Sequence, residues 1–303
     1  MSPVEAVTSA PMSVTVPTSL DQALIALAAD PEAHLLAGGT DLMVEVNFGH
    51  RRPESVIAVN RIEELRGWSI DLTAGAVRIG AAATYTELMA SEVAALVPAL
   101  TEAARTVGSP QIRNAGTIGG NVGTCSPAGD TLPVLAALGA SVELASLAGT
   151  RTLPFVDYMV GPKRSARRPD EIVTAVLVPI VDGWQGFAKV GTRNAMVIAV
   201  CNAALVADRH AATVTVAMGS VGPTMMSAPA ASAWVEDKID WHAMRIVGDA
   251  EHRDHVVAEF GARCSAAATP IDDHRSTAEY RRHAVGVLAS RLLRRAFGEG
   301  SRP

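Results

Sequence analysis

Short strands mixed irregularly with capped helices predict an α+β protein, and a length of 303 residues predicts two domains. Ser19 with Gln22, and Thr84 with Glu87, have the spacing of capping boxes at helix starts. SVIAV (55–59) reads as a buried strand, and SVELAS and EIVTAVLVP (171–179) as further strands. These elements do not alternate regularly, which argues against a doubly wound α/β sheet.

The elements follow in order. LDQALIALAAD forms the first helix, closed by Pro31, and the apolar run HLLA enters a turn at GGTDLM. WSIDLTAG and AVRIGAAA alternate around Gly75 and predict an antiparallel hairpin. A mainly helical stretch runs to about Val107. Residues 108–130, GSPQIRNAGTIGGNVGTCSPAGD, are rich in Gly, Ser, Thr, Asn and Pro and read as a long functional loop inside a domain. LPVLAALGA resumes a helix. The domain boundary is expected after Pro179, giving domains 1–179 and 180–303. Beyond it come strands including ATVTVAMGSV (212–221), then helices from about Ala228. In the final helix Val285, Leu288 and Leu292 have helical spacing, and Arg281, Arg282, Arg291 and Arg295 around them read as a solvated basic face, with a partner surface as the alternative.

Composition excludes several classes. Hydrophobic residues make up 49% and charged residues 19%, enough for packed cores and unlike a disordered chain. The net charge of -5 gives no attraction to phosphate backbones, so no nucleic-acid partner is expected. Cys125, Cys201 and Cys264 are isolated, which gives no disulfide framework and no zinc or iron–sulfur site built from this chain alone. MSPVEAVTSAPMSV lacks the pattern of a signal peptide, and no run of about eighteen apolar residues marks an integral membrane segment. A soluble cytoplasmic protein is expected.

Two glycine-rich turns carry the candidate chemistry: Ala37-Gly38-Gly39-Thr40-Asp41 and Thr117-Ile118-Gly119-Gly120-Asn121. Paired glycines let backbone N–H groups converge and let a ligand approach with no Cβ in the way. A diphosphate held between two such turns fits this chemistry; ordinary tight turns are the competing reading. Neither turn matches the dinucleotide fingerprint or the P-loop, and GTCSPAGD does not match a hydrolase elbow. His252 and His255 lie in EHRDHVV, which reads as a charged helix surface and not a metal site.

LLAGGTDLM (35–43), QIRNAGTIGGNVGTCSPAGD (111–130), GPKRSARRPDEIVTAVLVP (161–179), Phe187-Ala188-Lys189 and the C-terminal AEYRRHAVGVLASRLLRRAF together resemble the FAD-binding medium subunits of the molybdenum hydroxylases. That family includes the flavoprotein components of carbon monoxide dehydrogenase and xanthine dehydrogenase. The resemblance implies a vanillyl-alcohol-oxidase/PCMH-type FAD-binding domain of two α/β subdomains. A smaller C-terminal α+β domain with a three-stranded antiparallel sheet and helices follows. It places Ala37 to Asp41, with Leu36 and Leu42, around the FAD diphosphate, and Thr117 to Asn121 on its other side. Asp130 is assigned to the adenosine part, Val173 and Lys189 to the isoalloxazine, and Thr124 and Ser126 to further polar contacts. Eukaryotic xanthine dehydrogenases place an aromatic over the flavin shortly before the second turn, and this chain has none at the corresponding place near Val107. GTRNAMVIAV also lacks the acid many relatives carry after the lysine.

The implied role is electron transfer, with no catalytic acid, base or metal ligand on this chain. A large molybdopterin-binding subunit would oxidise the substrate and a small subunit with two [2Fe–2S] clusters would relay electrons to FAD here. The complex would be a dimer of heterotrimers. A free-standing FAD oxidase of a small substrate is the alternative. Purines, other N-heteroaromatics, carbon monoxide and aldehydes remain open as substrates, and NAD, oxygen or a quinone as acceptor.

Overall fold

A computed structural model describes residues 12–90 and 92–298; most of the N-terminal segment read for a signal peptide lies outside them. The first unit contains β1 (Ser13–Thr15), α1 (Leu20–Ala29), β2 (His34–Leu36), α2 (Leu42–Asn47) and β3 (Ser55–Ala58). Its three strands are parallel in the order β1-β3-β2. Ser19 caps α1 by accepting from the Gln22 amide at 3.3 Å. The Gln22 side chain accepts from the Thr18 amide and so closes the box one residue early. Ala23, Leu24 and Leu27 of α1 pack onto Ile57 and Val59.

The second unit starts with the expected hairpin, β4 (Trp68–Asp71) and β5 (Ala76–Gly80), turning at Gly75 with φ +61°. Helices α3 (Tyr85–Ala90), α4 (Val93–Leu96), α5 (Pro98–Thr106), α6 (Pro110–Ala115), α7 (Ile118–Thr124) and α8 (Leu132–Ala137) follow. Then come β6 (Ser141–Ser146), β7 (Gly149–Pro154), α9 (Phe155–Tyr158), the small hairpin β8 (Met159–Gly161) with β9 (Arg164–Ser165), and β10 (Ile172–Pro179). The sheet is antiparallel in the order β4-β5-β10-β6-β7, with β10 central and mostly buried. Thr84 and Glu87 form a reciprocal capping box for α3, with bonds of 2.6 and 3.2 Å.

Residues 108–130 are not one long loop. They contain α6 and α7, each with its own cap: Ser109 accepts from the Ile112 amide at 3.4 Å and Thr117 from the Gly120 amide at 3.0 Å. Glycine costs about 1 kcal/mol per interior helix position, which made this segment read as loop. The caps and the packing of Ile118 and Val122 into the core outweigh that cost.

The C-terminal unit is built on β11 (Gly183–Val190), β12 (Cys201–Asp208) and β13 (Thr213–Gly219). The two-residue β14 (Met226–Ser227) adds a fourth strand to the three expected. Helices α10 (Pro229–Glu236), α11 (Ala250–Ala267) and α12 (Ala278–Phe297) cover one face. Side chains alternate across a strand, and here both faces are used. Leu205, Val216 and Met218 pack on Phe260, Leu288 and Leu292 of the helices. Phe187, Ala204, Val206 and Ala217 join the core of the second unit instead.

On α12, Val285, Leu288 and Leu292 are buried as expected. The solvated reading holds for Arg282, Arg291 and Arg295, which are exposed, and needs correction for Arg281. Arg281 is 2% exposed and donates to the carbonyls of Val200 (2.6 Å) and Ser220 (2.9 Å) and to Asp273 (2.6 Å). Arg295 pairs with Glu102 of α5 and lies over the Trp184 ring. Sequence spacing marks a helix face but not what packs against it. His252 and His255 are exposed on α11, and no helix among the described residues is long and apolar enough to cross a membrane.

Helices α11 and α12 cross at Gly261 and Gly286. A Cβ at Gly261 would lie 2.0 Å from Ser290 Oγ and 2.5 Å from the Gly286 carbonyl oxygen. Gly261→Val is expected to cost about 1–3 kcal/mol by forcing the helices apart. Urea unfolding would show this as a lowered midpoint; an unchanged midpoint would mean the crossing tolerates a side chain.

Candidate functional site

A cleft of about 840 Å³ opens where all three units meet, and both glycine turns lie on its wall. The first turn leaves β2 with Gly39 at φ +71°, a conformation that favours glycine, and enters α2. The second is the first turn of α7. It is sewn to residues 81–85 by bonds from Tyr85 N to Gly116 O (3.1 Å), Ile118 N to Ala83 O (3.0 Å) and Gly119 N to Ala81 O (2.9 Å).

The turns approach each other closely. A Cβ at Gly38 would sit 1.8 Å from the Ala115 carbonyl oxygen, and one at Gly116 would sit 3.2 Å from Thr40 Oγ1. The glycines of the second pair do different work. A Cβ at Gly119 would strike Ala81 at 2.5 Å, so this residue serves strand packing. At Gly120 the nearest atoms are the capping Thr117 Oγ1 at 3.1 Å and Ala37 Cβ at 4.0 Å, and the residue lines the cleft.

The cleft gathers most of the residues singled out in the sequence. Leu36, Ala37, Gly38, Gly39, Thr40, Asp41 and Leu42 line it, as do Thr117, Gly119, Gly120, Asn121, Thr124, Ser126, Asp130 and Val173. Ile118 does not: it is fully buried in the core. Lys189 does not line the cleft either. It stands behind Asp130.

Asp130 and Lys189 form a buried ion pair at 2.5 Å, with side chains 6% and 9% exposed. Lys189 also donates to the Thr106 carbonyl at 3.2 Å. Asn202, opposite Lys189 in the β11–β12 register, donates to the other Asp130 oxygen at 3.0 Å. Thr106 Oγ1 adds a bond of 3.1 Å. Burial pushes the Asp130 carboxyl up, while the Lys189 charge and the three donors oppose that shift. The resemblance placed Asp130 at the adenosine and Lys189 at the isoalloxazine. Two partners in one ion pair cannot occupy opposite ends of an extended dinucleotide, so the two placements are incompatible.

Several cleft residues were not singled out as site residues in the sequence. Tyr85 follows the Thr84 cap into the floor between the turns, where burial raises its pKa and the Asp130 and Asp41 charges add to the shift. His34, whose pKa burial lowers, and Arg167 line the wall, and Met196, Val197 and Ile198 reach it from the segment after β11. Nothing in the sequence pattern marked any of these as site residues. Val107 is on the wall, so the side chain it offers the cleft is aliphatic. Cys125 turns inward at φ 47°, donates to the Val122 carbonyl, and has its thiol pushed up to about 12 by burial.

Known proteins resemble this chain along nearly its whole length. Residues 10–181 match the family described as the FAD binding domain in molybdopterin dehydrogenase, and residues 187–296 match the CO dehydrogenase flavoprotein C-terminal domain. The glyceraldehyde dehydrogenase medium chain of Sulfolobus acidocaldarius is 30% identical over 91% of this chain and 95% of its own length. The carbon monoxide dehydrogenase medium chain of Hydrogenophaga pseudoflava is 30% identical over 88% of this chain and 90% of its own. Reconstituted CO dehydrogenase from Oligotropha carboxidovorans superposes with a TM-score of 0.83 at 27% identity, covering 95% of this chain and 98% of that one. With both halves matched and near full-length relatives at 30% identity, the chain belongs to the family of FAD-binding medium subunits of the molybdenum hydroxylases.

Proposed function

We propose that this chain holds FAD in the cleft and passes electrons from the [2Fe–2S] clusters of a partner subunit to an external acceptor. The observation that carries the reading is the close meeting of two glycine turns on the wall of one cleft, with Gly120 facing it. The residues fit the cofactor. Gly38 to Asp41 and, from the second turn, the cleft-lining Thr117, Gly119, Gly120 and Asn121 would face the diphosphate, the amides of that turn being engaged within the protein, with Thr124 and Ser126 as further polar contacts. FAD supplies the redox chemistry, taking up electrons singly or in pairs.

The chain's own residues bind, orient and tune. Val107 and Val173 offer apolar walls to the isoalloxazine. Thr106, beside Val107, binds Asp130, and this neighbourhood supports a place for the Asp130–Lys189 pair near the ring end, if Val107 faces the flavin as the resemblance implies. Lys189 therefore acts on the ring through Asp130, as half of a neutral pair and not as a free cation. Two domains, 1–179 and 180–303, share this task, since Lys189 and Asn202 come from the second. The relatives named as medium chains or FAD subunits favour a subunit over a free-standing oxidase. By the same analogy the partners are a large molybdopterin-binding subunit and a small [2Fe–2S] subunit, in a cytoplasmic dimer of heterotrimers.

Gly120→Val is expected to weaken FAD binding about tenfold or more, roughly 1.4 kcal/mol, because its side chain enters the cleft. Gly119→Val is expected to destabilise the fold through Ala81 as well. Titration of apoprotein with FAD, beside urea unfolding, separates the two. Normal binding by the Gly120 variant would remove that turn from the site.

Lys189→Met leaves the Asp130 carboxylate buried and unpaired, and is expected to cost about 3–5 kcal/mol of stability. The double variant with Asp130→Asn is expected to recover part of the loss. Equal instability of the single and double variants would show that the pair is not the cause.

FAD is expected to be bound noncovalently, since the Cys125 thiol is buried and protonated at neutral pH. Acid precipitation of the yellow protein should release the flavin to the supernatant. Colour retained in the pellet would contradict this.

A further inference from the structure

The stretch between β11 and β12 forms cleft wall without a core behind it. Residues 192–196 and Ile198 are exposed, and Met196 and Ile198, at 55% and 63%, nevertheless line the cleft. Burial begins abruptly at Ala199 and Val200, 0% and 2% exposed. Backbone anchors, more than packing, decide where Met196, Val197 and Ile198 stand.

The anchors come from the far side of the C-terminal unit. Ala199 and Val200 precede β12, and buried carbonyls need donors. Arg281 donates to the Val200 carbonyl at 2.6 Å and to the Ser220 carbonyl at 2.9 Å. Arg275 and the Ser220 hydroxyl donate to the Ala199 carbonyl at 3.4 and 3.3 Å. Asp273 joins the two arginines, accepting from Arg281 at 2.6 Å and from Arg275 at 2.6 and 3.1 Å. Burial alone would raise the Asp273 carboxyl, but these donors hold it well below its usual range, so it stays ionised.

Two features tie this cluster to the cleft. Arg281 lies near the N-terminus of α12, where a cation opposes the helix dipole, so the helix itself does not favour it there. Ser220 holds φ +59°, an uncommon conformation for a residue with a side chain, and its amide reaches the Pro127 carbonyl at 2.7 Å, between the cleft-lining Ser126 and Ala128. Arg281 thus anchors two stretches of cleft wall, one through Val200 and the other through Ser220. The base of the first stands on the Asp130 pair, because Lys189 and Asn202, opposite each other in the β11–β12 register, both bind Asp130.

We infer that Asp273, Arg275 and Arg281 are positioning residues for the flavin: by fixing the Ala199 and Val200 carbonyls they hold Met196, Val197 and Ile198 as an apolar wall against the isoalloxazine. The inference rests on the FAD reading above, with the ring at the Asp130 end of the cleft. None of the three lines the cleft, so each acts through the segment it holds. A fixed apolar wall keeps water from the ring, and a loosened one admits it.

The test compares full-length chains loaded with FAD. It reads the dissociation constant, the fine structure of the visible flavin band, iodide quenching of flavin fluorescence and the urea midpoint. Arg281→Lys keeps the charge but loses the fork that spans two carbonyls and a carboxylate. Arg275→Ala removes the half-buried partner. Both are expected to blur the band, raise iodide quenching and weaken FAD binding about three- to tenfold. Val256→Ala, fully buried in α11, is expected to lower the urea midpoint at least as far as Arg275→Ala and leave the band unchanged.

A wild-type band and wild-type quenching in both arginine variants would overturn the inference, whatever their urea midpoints. So would an equal spectral change in the Val256 variant, which would reduce the effect to lost stability. If Arg281→Lys fails to fold, Arg275→Ala decides. A wild-type chain that binds no FAD would sink the FAD reading and this inference with it, whereas normal flavin in every variant sinks the inference alone.

Discussion

The carboxylate of Asp130 is the point on which the two halves of the molecule converge. It arises from the SPAGD stretch of the first domain, yet Lys189 and Asn202 reach it from adjacent strands of the second, and Thr106 reaches it from α5. A lone buried charge is costly, and a buried pair with one partner removed is strongly destabilising. The cluster therefore fixes the register of β11 against β12 and the seat of that hairpin on α5 and α8. A backbone bond of 2.7 Å from Ser220 to the Pro127 carbonyl holds the same stretch from a third strand. The Asp130 carboxylate lines the cleft and joins the two halves at the same time. Such a cluster adds little net stability compared with an apolar core, and its contribution is to select one arrangement of the two domains.

Around that point, close backbone approach sets the shape of the cleft. Gly38 is pinned against Ala115, and Gly119 against Ala81, at distances no side chain can share. The glycines that look like ligand loops in the sequence are in part packing devices, and the space they save brings two separate turns to one surface. Gly120 is where that economy leaves room for a ligand.

Much of this was legible in the sequence. The alternation around Gly75, the Thr84–Glu87 spacing and the apolar stripe of α12 are local signals, and local backbone physics honours them. The two glycine turns were legible as a pair, and the structure sets them on one cleft. What escaped was decided by tertiary contact. The caps at Ser109 and Thr117 were hidden by their glycine-rich surroundings. Arg281 looked like its solvated neighbours, because nothing in a helical stripe tells which arginine meets the Val200 and Ser220 carbonyls. Lys189 could be matched to a position near a flavin, but its pairing with Asp130 joins residues 59 apart and belongs to the fold.

The central sheet of the C-terminal unit serves two cores at once. Phe187, Ala204, Val206 and Ala217 complete the apolar interior of the first domain, while Leu205, Val216 and Met218 build that of the second. As the chain leaves the ribosome, the part before β11 therefore emerges with an apolar flank that β11 to β13 cover in the folded protein. That flank stays available to chaperones, or to other nascent chains, until β11 to β13 arrive. Completion of the earlier unit's apolar interior is therefore tied to synthesis of these later strands.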